Sequence, residues 1–298
     1  MKKGFLGYLL ISLFATSSIL SAAFVPTDDG IYAQFSVTQG STDYEFTARL
    51  HYETVPMTAL NFIELAEGTK NWADFASSSE KSNSPFYDGL TFHRIVSGFV
   101  IQAGSRNGKG TDGPGFQFPD EMDSALRHDT AGVLSMANSG ENSNGSQFFI
   151  TLAPKSQLDG KHSVFGLIVD GLADVLTLGS VPVDGDSKPL SDVMINGVTI
   201  LRVGVAANNF DGTGQIRPRL RRLLEPEWVV TGSQTYSLRI PQRDSTYGHL
   251  LFGSPDLENT WRSLFAADPD FAAAADLDIN VTGLMASTWP RAPCRANP

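Results

Sequence analysis

Between Tyr87 and Gly204 the apolar residues come in short runs, and glycines interrupt them again and again. Runs this short suit strands of four to eight residues, while a long core helix needs an unbroken 3.6-residue period. That period shows in this stretch at one place, around Leu172, Val175 and Leu176. The middle of the chain therefore reads as an antiparallel barrel or sandwich carrying a few helices. Upstream, Ile31, Ala33, Phe35 and Val37 alternate with polar residues. A Gln39-Gly40-Ser41 turn follows, and Phe46, Ala48, Leu50 and Tyr52 repeat the alternation, which predicts a half-buried hairpin. Pro56 opens a predicted helix with Phe62, Leu65 and Ala66 on one face, and Gly68 ends it. The polar, Ser-rich stretch from Asn71 to Asn83 reads as a surface loop.

Charge and cysteine content narrow the function. The net charge of −10 argues against a general nucleic-acid or anionic-membrane binder, which would collect Lys and Arg to neutralise phosphate. The single cysteine, Cys294, cannot make an intramolecular disulfide, and the five histidines show no close metal-ligand spacing. No metal and no cofactor is expected. At the start, Lys2 and Lys3 precede an apolar run from Phe5 to about Leu20 and then the small residues Ser21, Ala22 and Ala23. This three-part pattern is that of a secretory signal peptide over residues 1–23, cleaved after Ala23. The chain is then expected in the periplasm or outside the cell, or membrane-anchored if uncleaved. No further segment approaches membrane-spanning length, so no stable span is expected after processing.

Composition shifts near Ala206. The stretch from Asn208 to Gly214 reads as a linker, followed by Arg217, Arg219, Arg221 and Arg222 as a solvated basic cluster. Tyr236, Leu238 and Ile240 alternate as in a strand. Ser254-Pro255 is expected to open a helix bearing Leu257, Trp261, Leu264 and Phe265. Trp228, Trp261 and Trp289 offer apolar surface for a small accessory core.

Several motifs carry less than they promise. Gly108 to Gly113 satisfies G-x-G-x-x-G, yet Pro114-Gly115 follows at once, where a dinucleotide fingerprint would open a helix. Ser146 sits in Gly145-Ser146-Gln147, which is not a nucleophile elbow. Asp120, Glu121 and Asp123 lack cation-ligand spacing and read as a solvated turn.

Five segments agree in order. They are Phe86-Tyr87-Asp88-Gly89-Leu90-Thr91-Phe92-His93-Arg94-Ile95, then Gly98 to Gly104, then Gly132 to Asn138, then Asn144 to Ile150, and last Leu158 to Gly166. Together they resemble the cyclophilin family of peptidyl-prolyl cis-trans isomerases, over roughly residues 31–204. The resemblance implies a mainly β fold: an eight-stranded antiparallel closed β-barrel capped by two α-helices, with a substrate groove on its outer face. It implies an isomerase domain over 24–204, leaving 205–298 as a linker and an extension of unknown role, expected to be small and mixed α/β. Its partners would be proline-containing polypeptides, and its role would be to assist folding of exported proteins. A non-catalytic proline-peptide-binding module using the same groove is the alternative.

The residue types suit that chemistry. A prolyl bond crosses about 18–20 kcal/mol because its C–N bond is partly double. Lowering that barrier needs an apolar cleft, donors for the flanking carbonyls, and a group that favours the twisted amide. By resemblance, Arg94 is the principal catalytic residue, and Gln102, counted with it as catalytic, matches a substrate-holding position. Phe99, Val100, Phe149, Leu158 and His162 form the proline-pocket wall, joined by Met136. Asn138 and Gln147 hold the peptide, and Ala137 offers backbone groups beside Asn138. His93 is expected to hydrogen-bond within the barrel without catalysing, and His162 to be uncharged. Gln157 stands where many family members carry Trp, which implies weak cyclosporin binding. Ser139 replaces a frequent Ala.

Overall fold

The computed structural model describes residues 24–77, 79–215 and 217–218, together with five strand segments between Glu227 and Val281 whose side chains are not described. The signal-like residues 1–23, Arg219, Arg221, Arg222, Trp261, Trp289 and Cys294 lie outside the described residues. Among the described residues no helix is long and apolar enough to cross a membrane.

The alternating segments pair as the hairpin β1 (Gly30–Gln39) and β2 (Thr42–Leu50). The turn runs through Gly40, whose φ of 61° is open to glycine at little cost. Phe35, Val37, Phe46, Ala48 and Leu50 all face the core. Next comes α1 (Pro56–Glu67), with Pro at its first turn and Gly68 closing it at φ 72°. Its N-terminus has no local cap. The carboxylate of Glu121 instead accepts the N–H of Met57 at 3.2 Å and of Thr58 at 2.8 Å, satisfying donors a helix start leaves orphaned. The acidic cluster is therefore not simply a solvated turn. Asp120 is also engaged, accepting from the Asn142 N–H at 2.9 Å and the Asn144 amide at 2.7 Å.

The Ser-rich stretch is not all loop. It holds a small hairpin, β3 (Trp72–Asp74) and β4 (Ser79–Lys81), because Trp72 buries its ring and donates its indole N–H to the Ser84 carbonyl at 2.8 Å. Then follow β5 (Arg94–Val96), β6 (Val100–Ala103), β7 (Val133–Met136), β8 (Phe148–Thr151), β9 (Val164–Asp170), α2 (Leu172–Leu178) and β10 (Val193–Val203). With β1 and β2 they form one antiparallel sheet in the order β10-β1-β2-β9-β7-β8-β6-β5. The sheet curls until its edges meet, but β5 and β10 share no ladder. Residues just before β5 close the gap: Phe92 N–H donates to the Val193 carbonyl at 2.9 Å and Ile195 N–H to the Leu90 carbonyl at 2.7 Å, around the bridge Thr91–Met194. The expected closed barrel is thus a curled sheet joined along one short segment.

Inside it, α1 inserts Phe62 among Tyr87, Phe148 and Phe165, with ring centroids 4.9, 5.7 and 5.2 Å away. Stacked, tilted and edge-on packing of this kind adds about 1 kcal/mol per pair to the area buried.

Beyond β10, α3 (Val205–Asn208) and the residues up to Pro218 are not a free linker. Ala207 is buried, Phe210 packs on Tyr52 at 5.0 Å, and Arg217 reaches the main-chain carbonyl of Asp211 and lies 3.6 Å from Glu64 of α1. Farther on, β11 (Glu227–Gly232), β12 (Thr235–Pro241) and β15 (Asp276–Val281) form a three-stranded sheet, and β13 (His249–Gly253) pairs with β14 (Arg262–Ala267). The alternation of Tyr236, Leu238 and Ile240 is a strand as expected. Leu264 and Phe265, expected on a helix, lie in β14, where pairing with β13 overrides the apolar 3–4 spacing. Residues 254–261, where that helix was to begin, lie outside the described residues.

Candidate active site

Side chains along β5, β6, β7 and β8 alternate between two faces. Ile95, Ile101, Ala103, Leu134, Met136, Phe148 and Ile150 join the core. Their neighbours therefore point outward. Register then does the assembly: Arg94 pairs with Gln102, Gln102 with Phe149, and Phe149 with Ser135. One row of cross-strand neighbours, each about 5 Å from the next, carries a cation, an amide, an aromatic ring and a hydroxyl across four strands. Val100 stands one step along on the same face, and Phe99 is half-buried in the β5–β6 turn, its main-chain carbonyl accepting the Leu152 N–H at 2.9 Å.

The polar half of the row is a relay of amides. Arg94 Nη1 donates to Gln102 Oε1 at 3.4 Å, and Gln102 Nε2 donates to Gln147 Oε1 at 3.1 Å. Gln147 Nε2 then donates to the carbonyls of Gly110 at 3.1 Å and Asp112 at 2.8 Å. Each donor fixes the next amide's orientation. The glycine-rich loop thus serves as the anchor of this relay, and no helix follows it. Gln147 is itself held by what precedes it. The Asn61 amide donates to the Gly145 carbonyl at 2.9 Å, the Tyr87 hydroxyl to the Ser146 carbonyl at 3.1 Å, and Ser146 Oγ to the Gly104 carbonyl at 2.7 Å.

The apolar half centres on Phe149, a residue 5% exposed. His162 meets it edge-on at 5.3 Å and His128 lies nearly parallel at 5.8 Å. Leu158 is half-buried on a 3-10 turn over Ser156–Leu158, and Lys155 of the neighbouring loop reaches over the Phe99 ring at 5.6 Å. His162 Nδ1 bonds the Met136 carbonyl at 3.0 Å. Burial lowers the His162 pKa despite that bond, which leaves the ring neutral at pH 7, as expected of a pocket wall.

Three expected roles change. The Met136 side chain is fully buried among core residues, so its main chain alone faces the groove, because β7 presents Ser135 outward. The Ala137 N–H is spent on the Gln147 carbonyl at 2.9 Å, which narrows the backbone groups it can offer a peptide to its carbonyl. Among the described residues His93 has no hydrogen-bond partner: both ring nitrogens are buried unpaired, and burial, aided by the Arg94 charge, lowers its pKa to about 4. Asn138 stays half-exposed and gives one amide hydrogen to the Lys161 carbonyl at 2.8 Å. Gln157 is exposed beside Leu158, and Ser139 bonds Ser143 away from the row.

Sequence reasoning missed His128, Ser135 and Asp159. His128 Nδ1 lies 2.9 Å from Asp159 Oδ1, and its Nε2 lies 3.0 Å from Ser135 Oγ. Buried polar groups usually find such partners, but His128's place in the sequence gives no sign that it is buried. Among the described residues no group of three or more His, Cys, Asp or Glu is placed to hold a metal ion.

Comparison with known proteins follows the same residues. A family model described as cyclophilin type peptidyl-prolyl cis-trans isomerase/CLD matches residues 34–200. A peptidyl-prolyl cis-trans isomerase of Arabidopsis thaliana is 42% identical over 153 residues, covering 50% of this chain and 84% of that protein. Peptidyl-prolyl cis-trans isomerase A of Mycobacterium tuberculosis is 41% identical over 147 residues, covering 49% and 80%. Peptidyl-prolyl cis-trans isomerase B of Streptomyces anulatus is 39% identical over 173 residues, covering 57% and 96%. A crystal structure of a cyclophilin type peptidyl-prolyl cis-trans isomerase from Cryptosporidium parvum is 31% identical with a TM-score of 0.48, covering 58% of this chain and 98% of that one.

Proposed function

This chain belongs to the cyclophilin-type peptidyl-prolyl cis-trans isomerase family, and we propose that its isomerase centre is the row from Arg94 to Phe149. The observation that carries the reading is the register: it sets the Arg94 cation, the Gln102 amide and the apolar Phe149 ring in one row on one sheet face. A prolyl substrate lays its ring against Phe149, Phe99, Val100, Leu158 and His162. Gln102, Gln147 and Asn138 bond the flanking amides. Arg94 then aims its guanidinium at the proline nitrogen. In the planar amide that nitrogen's lone pair is delocalised into the carbonyl. As the bond twists, the lone pair localises and becomes a better acceptor for Arg94. The interaction is stronger in the twisted state than in either planar state, which is the condition for acceleration. No bond is made or broken, so no nucleophile or proton transfer is required.

The clients we propose are exported proteins containing proline, on the strength of the Lys2-Lys3, apolar and small-residue pattern at the start of the chain. Two measurements test the reading. A protease-coupled prolyl-peptide assay must show turnover that Arg94→Ala removes. Fractionation with N-terminal sequencing must find a mature chain outside the cytoplasm beginning near Phe24; a cytoplasmic chain beginning at Met1 overturns the export reading.

A further inference from the structure

One carboxylate holds both apolar walls of the proposed proline pocket. Asp159 Oδ1 accepts the main-chain N–H of His128 at 2.8 Å and faces the His128 ring at Nδ1, 2.9 Å away. A carboxylate ionised at neutral pH only accepts, so Nδ1 carries the proton. Asp159 itself is kept below the usual carboxylate range, chiefly by the His128 main-chain N–H. Arg127 Nη2 lies 3.0 Å from the second oxygen. Pinned this way, the His128 ring backs Phe149 in a stack of 5.8 Å and 21°, while its far nitrogen meets Ser135, the register neighbour of Phe149. Asp159 also ends the 3-10 turn that presents Leu158, its N–H bonding the Ser156 carbonyl at 3.1 Å. Loop 155–159 is tied to the same point again by the Lys155 N–H on the His128 carbonyl at 2.6 Å.

We propose that Asp159, acting through His128, is a positioning residue that sets the width of the proline pocket by fixing Leu158 and the Phe149 ring relative to each other. The inference rests on the isomerase reading and deepens it. Asp159 acts through the groups it holds, the His128 ring and the turn that carries Leu158. Its removal loosens the apolar walls without touching Arg94, so it should weaken substrate and transition state alike, which raises KM and spares kcat.

The experiment measures kcat, KM and thermal midpoint for the natural chain, Asp159→Ala and Asp159→Asn, with NMR of the His128 and Phe149 rings. Asp159→Ala is expected to raise KM about fivefold or more with kcat within about twofold, to shift the Phe149 ring signals and to free the His128 tautomer. Asp159→Asn keeps an acceptor oxygen at the same reach and is expected to restore KM and the Phe149 shifts. If the Ala variant does not fold, Asp159→Ser, whose hydroxyl stops short of the ring, takes its place with the same expectation. A folded Ala or Ser variant with unchanged KM overturns the inference, as does a fall confined to kcat, or an Asn variant no better than Ala. Absence of turnover in the natural chain overturns the isomerase reading instead, so the two failures are distinguishable.

Discussion

Arg94→Ala separates catalysis from folding. The Arg94 side chain is half-exposed, and its hydrogen bond is a long one, 3.4 Å to the neutral amide of Gln102. Such a bond contributes about 1 kcal/mol or less to stability. The β5–β6 ladder is made by main-chain groups and survives the truncation, as does the Gln102–Gln147 bond at 3.1 Å. The midpoint of a domain this size should therefore fall by roughly 2–4 °C at most. Turnover should respond very differently. Removing one preorganised donor aimed at a developing charge costs about a hundredfold, close to 2.7 kcal/mol of barrier. Because Arg94 acts on the twisted state, the loss should fall on kcat with little change in KM. Arg94→Lys keeps the charge but not the planar fork and should recover a part of the loss. The protease-coupled assay and a melting curve on the same sample decide it. Turnover within threefold of the natural chain, in a variant that melts normally, would falsify the assignment of Arg94.

Other expectations are quicker to state. The Gly104 backbone, at φ 92°, lies so close to the Ser146 carbonyl that a Cβ there overlaps it; Gly104→Ala should destabilise the chain by about 2 kcal/mol or more and displace the Gln102–Gln147 relay, read as a lower melting midpoint and reduced turnover. Histidines 51, 93, 128 and 162 all have lowered pKa values, His93 to about 4, so the unfolded chain takes up protons first and stability should fall as pH drops from about 6.5 toward 4; the midpoint of His93→Phe should depend less steeply on pH over that window. Cyclosporin should inhibit the natural chain weakly, and Gln157→Trp should tighten it about thirtyfold by adding an apolar face and an edge N–H; low-nanomolar inhibition of the natural chain would show that Gln157 is misplaced. A chain ending at Pro218 should melt several degrees above one ending at Gly204, since the shorter one strips Phe210 from Tyr52, Gly212 from Leu60 of α1 and Arg217 from Glu64; equal midpoints would mean that this packing contributes nothing.

Local signals survived folding where the partner was near in sequence. The β1–β2 hairpin needed nothing but its own alternation and Gly40, and α1 needed Pro56 and Gly68. What was illegible depended on distant partners. The cap of α1 is a side chain 63 residues beyond Thr58, so Glu121 looked like one more surface acid. Trp72 could turn a polar loop into a hairpin only once Ser84 was there to take its indole N–H. The site divides in the same way. Arg94, Gln102 and Phe149 were found by their residue types and order, but their lining up in one row is a consequence of β8 pairing with β6 on one side and β7 on the other. Met136 was misread because its facing is set by β7's register, and a one-residue slip reverses every side chain. His128 and Asp159, 31 residues apart, had no shared pattern to betray them.

The groups around Arg94 explain how the cation stays available. Among the described residues it makes no ion pair; its hydrogen bond goes to the neutral Gln102, and its chain neighbour His93 is held neutral by burial. Asp184 and Asp186 line the same cleft, yet Asp184 spends one carboxylate oxygen on the main-chain N–H groups of Asp186 and Lys188, 2.9 Å away in each case, and Lys109 and Lys188 share the rim. A carboxylate bonded directly to Arg94 would hold the guanidinium in place more firmly than an amide does. It would also compete with the proline nitrogen for the same N–H groups. The twisted amide is a weak acceptor, so that competition would erase the difference between planar and twisted states on which acceleration depends. Orientation by neutral amides avoids the competition: Gln147, anchored on two carbonyls, aims Gln102, and Gln102 aims Arg94. The cost is carried by His93, whose two unpartnered nitrogens keep a buried neutral ring beside the charge where a protonated one would repel it.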